Sequence, residues 1–80
     1  MATKFIFVYV TFPKMTTAKK IGKAMVESKL AACANILPSM TSIYSWKGKV
    51  ESAHEAVLIL KTRAANFKKI EKAVLKMHPY

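Results

Sequence analysis

The chain has 80 residues and a mass of 9.0 kDa, so we expect one domain spanning residues 1–80, because domains typically hold about 50–250 residues. Its 14 Lys and Arg residues against 4 acidic residues give a net charge of +10. A content of 52% apolar residues argues against intrinsic disorder. The single cysteine, Cys33, excludes an internal disulfide framework and predicts a reducing compartment, which we take to be the cytoplasm.

The first predicted element is a β-strand over residues 4–12, which form a continuous apolar stretch closed by Pro13. Such a stretch is typical of a central strand that is buried on both faces or covered by a partner. Its longest purely apolar run has six residues, Phe5 to Val10. A membrane span needs about 20 such residues, so we expect no contact with a membrane.

An amphipathic helix is predicted over residues 14–28, where apolar residues recur close to a period of 3.6. These positions are Met15, Ala18, Ile21, Met25 and Val26. Gly22 lies inside the pattern, where glycine costs about 1 kcal/mol relative to alanine. We therefore expect Gly22 to mark a close approach of this helix to the sheet.

Two further stretches predict strands. Residues 30–37 are apolar and end at Pro38, where a strand would lose a hydrogen-bond donor. Residues 41–46 are rich in β-favouring side chains, and the Lys47-Gly48-Lys49 sequence after them can form a turn with positive φ at the glycine. Residues 50–62 then return as another strand, so this region is predicted to be a hairpin that is long and bent.

A second helix is predicted from an apolar stripe spaced by three, four and three residues, at Phe67, Ile70, Val74 and Met77. We expect it to begin between residues 62 and 65 and to end before Pro79. The resulting order, βαββα, is an α+β arrangement: a ferredoxin-like βαββα(β) fold without its last strand, in which two helices cover an antiparallel sheet.

The missing strand matters because it pairs beside the first strand in the complete fold. A chain that ends at Tyr80 would leave the apolar first strand with an open edge, which is an aggregation hazard. We therefore expect either that the chain is incomplete at its C-terminus or that another subunit covers this edge.

Motifs for catalysis are absent from the sequence. It contains only two glycines, which excludes a glycine-rich phosphate loop. It has no aspartate, and its four glutamates are scattered and do not suggest a catalytic pair of carboxylates. Cys33 lies in an apolar strand and is expected to be a small buried side chain. His54 and His78 are 24 residues apart and lack the spacing of a metal site. We expect a protein that is not an enzyme and has no certain cofactor.

The positive charge raises the alternative of RNA binding, since RNA-recognition domains share the βαββ order. Those domains display stacking aromatic side chains on their third strand. The corresponding segment here, residues 47–57 (KGKVESAHEAV), has none, and most lysines fall on the predicted helices. We therefore expect no nucleic-acid partner.

The sequence resembles the CutA family of divalent-cation tolerance proteins. The resemblance covers nearly the whole chain and is carried by the runs KLAACANI (29–36), SIYSWKGKVE (42–51), Glu55, LKT (60–62) and HPY (78–80). It implies a ferredoxin-like subunit similar to PII signalling proteins, packed as a homotrimer through sheet edges and the long hairpin. It also implies a chain that continues past Tyr80 through a closing strand and a short helix.

The resemblance further implies a link to copper or another divalent metal. In some members a cysteine ending the first strand and a His-His pair before Pro-Tyr are the proposed copper(II) ligands. Val10, Met77 and His78 occupy those positions here, so His78 is the one ligand that the resemblance carries over.

The leading hypothesis is a non-enzymatic, trimeric CutA-like protein of metal-ion tolerance, with weak copper binding and a cleft between subunits. An alternative is a PII-like regulatory module that binds a small anionic ligand, in which Lys61 meets the anion. The predicted site residues are Tyr44, Trp46, Glu55, Lys61, His78 and Tyr80.

Overall fold

The computed structural model describes residues 4–78 and contains a three-stranded sheet with two α-helices. Their order confirms the predicted ferredoxin-like βαββα arrangement. None of the helices in this range has the length and hydropathy needed to cross a membrane. In chain order the elements are β1 (Phe5–Phe12), α1 (Met15–Glu27), β2 (Cys33–Trp46), β3 (Lys49–Arg63), a 3₁₀ turn (Ala64–Asn66) and α2 (Phe67–Met77).

Strand β3 forms the centre of the sheet, which is antiparallel throughout with the order β1-β3-β2. Of the two alternatives for β1, a central strand buried on both faces is wrong for the described residues, in which β1 pairs with β3 alone. Coverage of β1 by a partner stays a prediction. The side chains of β1 alternate: Phe5, Phe7 and Tyr9 are 69%, 70% and 59% exposed, whereas Phe12 is fully buried. The helices cover one face of the sheet, and we call the other face the open face.

The hydrophobic core lies between the sheet and the two helices. Strands β1 and β3 contribute Phe12, Leu58 and Leu60, and the helices contribute Ile21 and Ile70, each at most 1% exposed. Burial of these large side chains is the main favourable contribution to folding.

Gly22 lies where α1 crosses the sheet, as its position in the helical pattern predicted. A β-carbon at this position would lie 3.0 Å from Leu58 Cδ1 and 3.2 Å from Ala34 Cβ. Both distances are shorter than ordinary van der Waals contact. The absence of a side chain therefore sets how closely α1 packs on the sheet.

We expect Gly22→Leu to lower the free energy of unfolding by about 1–3 kcal/mol, because the buried Leu58 has no room to move away. Lys23→Leu is the matched control, since Lys23 is an exposed neighbour on the same helix, and its cost should stay within about 0.5 kcal/mol. Urea unfolding monitored by circular dichroism measures both. Equal costs for the two variants would contradict the close approach of α1 to the sheet.

Strand β2 joins the two strands that were predicted over residues 30–37 and 41–46, and it begins later than the first of them. It begins at Cys33 and runs through Pro38 to Trp46, so the predicted end at Pro38 is wrong. The pairing with β3 shifts register between Leu37 and Met40, which leaves Pro38 and Ser39 outside the ladder. A β-bulge on an edge strand tolerates proline because no donor is required there.

The predicted turn at the hairpin tip is confirmed. Trp46 and Lys49 are the last paired residues, and the two residues between them, Lys47 and Gly48, have φ of 50° and 77°. Positive φ at both central residues defines a type I′ turn, whose twist matches that of the flanking strands. The hairpin therefore continues as a regular two-stranded ribbon beyond the region that the helices cover.

Helix α2 begins at Phe67, slightly later than predicted, because residues 64–66 form a 3₁₀ turn. Ile70 and Val74 are buried, which confirms the centre of the apolar stripe, while Phe67 and Met77 at its ends are 40% and 36% exposed.

Candidate functional site

His78, the predicted metal ligand, directly follows α2 and packs against the end of β1. Its ring stacks on Phe12 with centroids 4.6 Å apart, and its Nε2 lies 3.0 Å from the carbonyl oxygen of Thr11. A carbonyl oxygen can only accept, so Nε2 carries the proton in this bond. The half-buried imidazole thus helps to fasten the end of α2 to β1.

A single chain does not surround His78 with further ligands. Within residues 4–78 no group of three His, Cys, Asp or Glu side chains could hold a metal ion. Copper(II) prefers several nitrogen and oxygen donors in a tetragonal arrangement. The described residues of one chain therefore do not fit a divalent metal centre by themselves, and metal binding at His78 stays a prediction.

Tyr44, Trp46 and Glu55 lie along the hairpin on the open face. The register pairs Tyr44 with Glu51 and Trp46 with Lys49, so each of these aromatic side chains on β2 lies across from a charged side chain on β3. Tyr44 is 44% exposed and Trp46 is 59% exposed. Glu55 is half-buried and accepts a hydrogen bond of 3.0 Å from the Ser42 hydroxyl.

Lys61 lies on the open face near the other end of the sheet. It is paired with Phe7 on one side and with Cys33 on the other, and its Nζ is 5.7 Å from the centroid of the Phe7 ring. This distance is within the range of a cation–π contact. Cys33 is half-buried, and its thiol contacts the Asn35 side-chain oxygen at 3.7 Å.

The predicted site residues do not converge within one chain. Lys49, the partner of Trp46, and Lys61 are 12 positions apart on β3, which corresponds to roughly 40 Å of strand. His78 packs on the helix-covered side, whereas Lys61 lies on the open face. Tyr80 lies outside the described residues. A shared cleft would therefore need residues from more than one copy of the chain.

Two exposed apolar residues near the hairpin tip were missed in the sequence. Ile43 is 74% exposed and Val50 is 79% exposed, and both lie on the face opposite to Tyr44 and Trp46. The sequence pattern could have revealed them. Ile43 and Ser45, and likewise Val50 and Ser52, are two positions apart and therefore lie on one face, and the exposed serines indicate that this face is not in the core. Apolar residues on both faces of a projecting ribbon are a candidate contact surface between proteins.

Known proteins resemble this chain in sequence. The Protein CutA homolog of Xenopus laevis is 49% identical over 72 residues, which cover 90% of this chain and 48% of that protein. The Divalent-cation tolerance protein CutA of Thermus thermophilus is 45% identical over 73 residues, covering 91% and 71% of the two chains. The chain thus spans about half the length of the frog relative and 41% of that of the mouse Protein CutA.

Solved structures share its fold. The divalent cation tolerance protein Cut A1 from Thermus thermophilus superposes with a TM-score of 0.88 at 43% identity, covering 95% of this chain and 74% of that one. CutA1 from Oryza sativa gives a TM-score of 0.89 at 39% identity, with 98% and 72% covered. The model of the CutA1 divalent ion tolerance protein family matches residues 6–80. This chain therefore belongs to the CutA1 divalent ion tolerance family.

Proposed function

We propose that this protein acts in tolerance to divalent metal ions, copper among them, as a non-enzymatic homotrimer. Membership of the CutA1 family supports the tolerance role. The observation that carries the assembly is the apolar ribbon at the end of the hairpin.

The ribbon has nothing of its own chain to pack on among the described residues. Ile43 and Val50 are exposed on one face, and Tyr44 and Trp46 are exposed on the other. A two-stranded ribbon is marginally stable alone in water, and it gains stability when an apolar face is covered. Aromatic side chains are enriched in the cores of protein interfaces. Neighbouring copies that cover both faces account for this arrangement, and three copies are the number that the family resemblance implies.

A trimer also offers a route to metal binding that one chain lacks. Three copies contribute three His78 imidazoles together with carboxylates such as Glu55, and pooled ligands bind a divalent ion more tightly than one imidazole. Coordination through Nε2 would replace its bond to the Thr11 carbonyl, which weakens the affinity. We therefore propose weak copper(II) binding that declines in acid, because a protonated imidazole has no lone pair to donate.

We expect His78→Ala to abolish copper(II) binding measured by calorimetry on the folded protein. His54→Ala is the matched control, since His54 is exposed on β3 and contacts the Thr41 hydroxyl at 3.4 Å. Cys33→Ser should leave the copper(II) affinity nearly unchanged, because the half-buried thiol lies on β2, on the far side of β3 from Thr11. Its β3 partner Lys61 is four positions from Val57, the partner of Thr11, which corresponds to roughly 13 Å along the strand. Circular dichroism of His78→Ala shows whether a loss of copper(II) binding reflects unfolding. His78→Gln serves as a second variant that removes the imidazole but keeps a polar side chain.

Loss of copper(II) binding in Cys33→Ser together with retention in His78→Ala would show that the site is wrongly assigned. Equal losses in His78→Ala and His54→Ala would indicate nonspecific binding to surface imidazoles.

A further inference from the structure

A basic cavity lies at the end of the sheet that is farthest from the hairpin tip. It has a volume of about 620 Å³, which is within the usual range of about 300–1,000 Å³ for small-molecule sites. Three separate segments form its wall: the start of β1, the connection between α1 and β2, and the end of β3 with the following 3₁₀ turn.

Its charge is uniformly positive. Lys29, Lys61 and Arg63 line the cavity, and the described residues that line it include no Asp or Glu. The exposed ends of these side chains therefore have no carboxylate in the described cavity wall to neutralise them. Three cations around one concave surface create a positive potential that concentrates anions.

The rest of the wall is mainly apolar. Phe5 and Phe7 contribute side chains that are 69% and 70% exposed, and Leu30 and Ala65 lie nearby. The ammonium of Lys61 is 5.7 Å from the Phe7 ring centroid, so a charged donor and an aromatic surface are adjacent. A ligand that satisfies both must join an anionic group to an apolar or aromatic body.

Hydrogen bonds hold the wall in place. The Leu30 carbonyl oxygen accepts bonds from the Thr62 hydroxyl and from the Asn66 side-chain amide. The Ala32 N–H donates to the Lys61 carbonyl at 2.9 Å, and this bond ties the connection between α1 and β2 to β3. A wall that is ordered in advance lowers the entropic cost of binding.

Lys29 occupies a position that usually favours glycine. Its φ is 63°, and the Lys29 N–H donates to the Val26 carbonyl while the Leu30 N–H donates to the Met25 carbonyl, both at 3.0 Å. This pattern is a Schellman motif that ends α1, in which glycine is the common residue because a β-carbon is strained there. The lysine brings a cation to the cavity at a cost in backbone strain.

We propose that this cavity is a binding site for a small organic anion that joins a phosphate group to an apolar or aromatic body. Arg63 supplies a planar fork of donors that suits phosphate oxygens, and Lys29 and Lys61 add point charges. Phe5 and Phe7 provide the surface for the apolar body. This site is independent of the metal binding proposed above, because neither His78 nor Glu55 is among the residues that line the cavity.

Phenyl phosphate is a suitable probe, with inorganic phosphate and phenol as its separate halves. We expect saturable binding of phenyl phosphate by calorimetry and amide shifts at Phe7, Ala32 and Lys61 in nuclear magnetic resonance spectra. Each half should bind at least about tenfold more weakly, because each loses either the charged hydrogen bonds or the apolar contact. Affinity for inorganic phosphate equal to that for phenyl phosphate would overturn the role of the aromatic wall.

Two double variants of equal charge test the location. Lys61→Gln with Arg63→Gln should weaken phenyl phosphate binding at least about tenfold, since bonds from charged donors to phosphate are lost. Lys72→Gln with Lys76→Gln, at exposed positions on α2 away from the cavity, should change it less than about twofold. Equal losses in the two double variants would show nonspecific attraction to a basic protein and overturn the proposal.

Lys29→Gly separates binding from folding. It relieves the positive-φ strain, so the melting temperature should be unchanged or higher, while phenyl phosphate binding should weaken. Unweakened binding in this variant would remove Lys29 from the site.

Discussion

Replacing Ile43 by glutamate is expected to convert the proposed trimer into single chains. Ile43 is 74% exposed in one chain and lies beside Val50 on one face of the hairpin ribbon. If a neighbouring copy covers this face, the substitution buries an unpaired carboxylate, which costs several kcal/mol per subunit interface. The mass measured by light scattering during size exclusion should fall from three chain masses to one.

Leu75→Glu is the control for this experiment. Leu75 is 71% exposed on α2, so the substitution makes the same change of charge at an apolar position of similar exposure, away from the ribbon. We expect it to leave the mass at three chains. A single-chain mass for the unmodified protein at micromolar concentration, or an unchanged mass for Ile43→Glu, would refute assembly through the ribbon.

Local patterns in the sequence were enough to predict most of the fold. The stripe through Ile70 and Val74 identified α2, and the place of Gly22 in the apolar pattern of α1 identified where that helix approaches the sheet. Both signals are sequence patterns that lie within a single helix. The end of β2 could not be predicted in this way. From the local sequence alone, Pro38 predicts the end of a strand because it lacks an N–H donor. The β-bulge that accommodates it depends on the pairing of β2 with β3, which the local sequence does not show.

The candidate site was less accessible to sequence reasoning. Lys61 is one of the site residues predicted from the sequence, but its neighbours in the cavity come mostly from distant segments at the start of β1 and after α1. Lys29 was not among the predicted site residues, since its place in the cavity wall depends on the helix end that gives it a positive φ. Folding brings these segments together at one end of the sheet, so the cavity residues have no regular spacing in the sequence that a pattern could reveal.

Strand β1 illustrates the same limit at the level of single residues. Its apolar run has no alternation, so the sequence could not tell which of its three phenylalanines face the core. The pairing with β3 settles it: Phe12 points to the helices and is fully buried, whereas Phe5 and Phe7 point to the open face. Phenylalanines on the same strand therefore contribute very different amounts to the free energy of unfolding.

Phe12→Ala is expected to lower the free energy of unfolding by about 3–5 kcal/mol, the usual cost of truncating a buried aromatic side chain. A chain of this size has about 4–12 kcal/mol in total, so this single change removes a large share. It also removes the ring that stacks on His78 at 4.6 Å. The His78 ring protons should therefore shift in the nuclear magnetic resonance spectrum as the ring current is lost.

Phe7→Ala is the matched control on the same strand. Phe7 is 70% exposed, and its ring contacts the Lys61 ammonium, so its cost should stay below about 1 kcal/mol. Chemical unfolding at equal protein concentration compares the two variants. If Phe12→Ala does not fold, Phe12→Leu should still show a loss of about 1–2 kcal/mol, because leucine fills part of the space. A larger cost at Phe7 than at Phe12 would mean that β1 presents the opposite face to the helices, since a strand shifted by one residue exchanges every side chain between the two faces of the sheet.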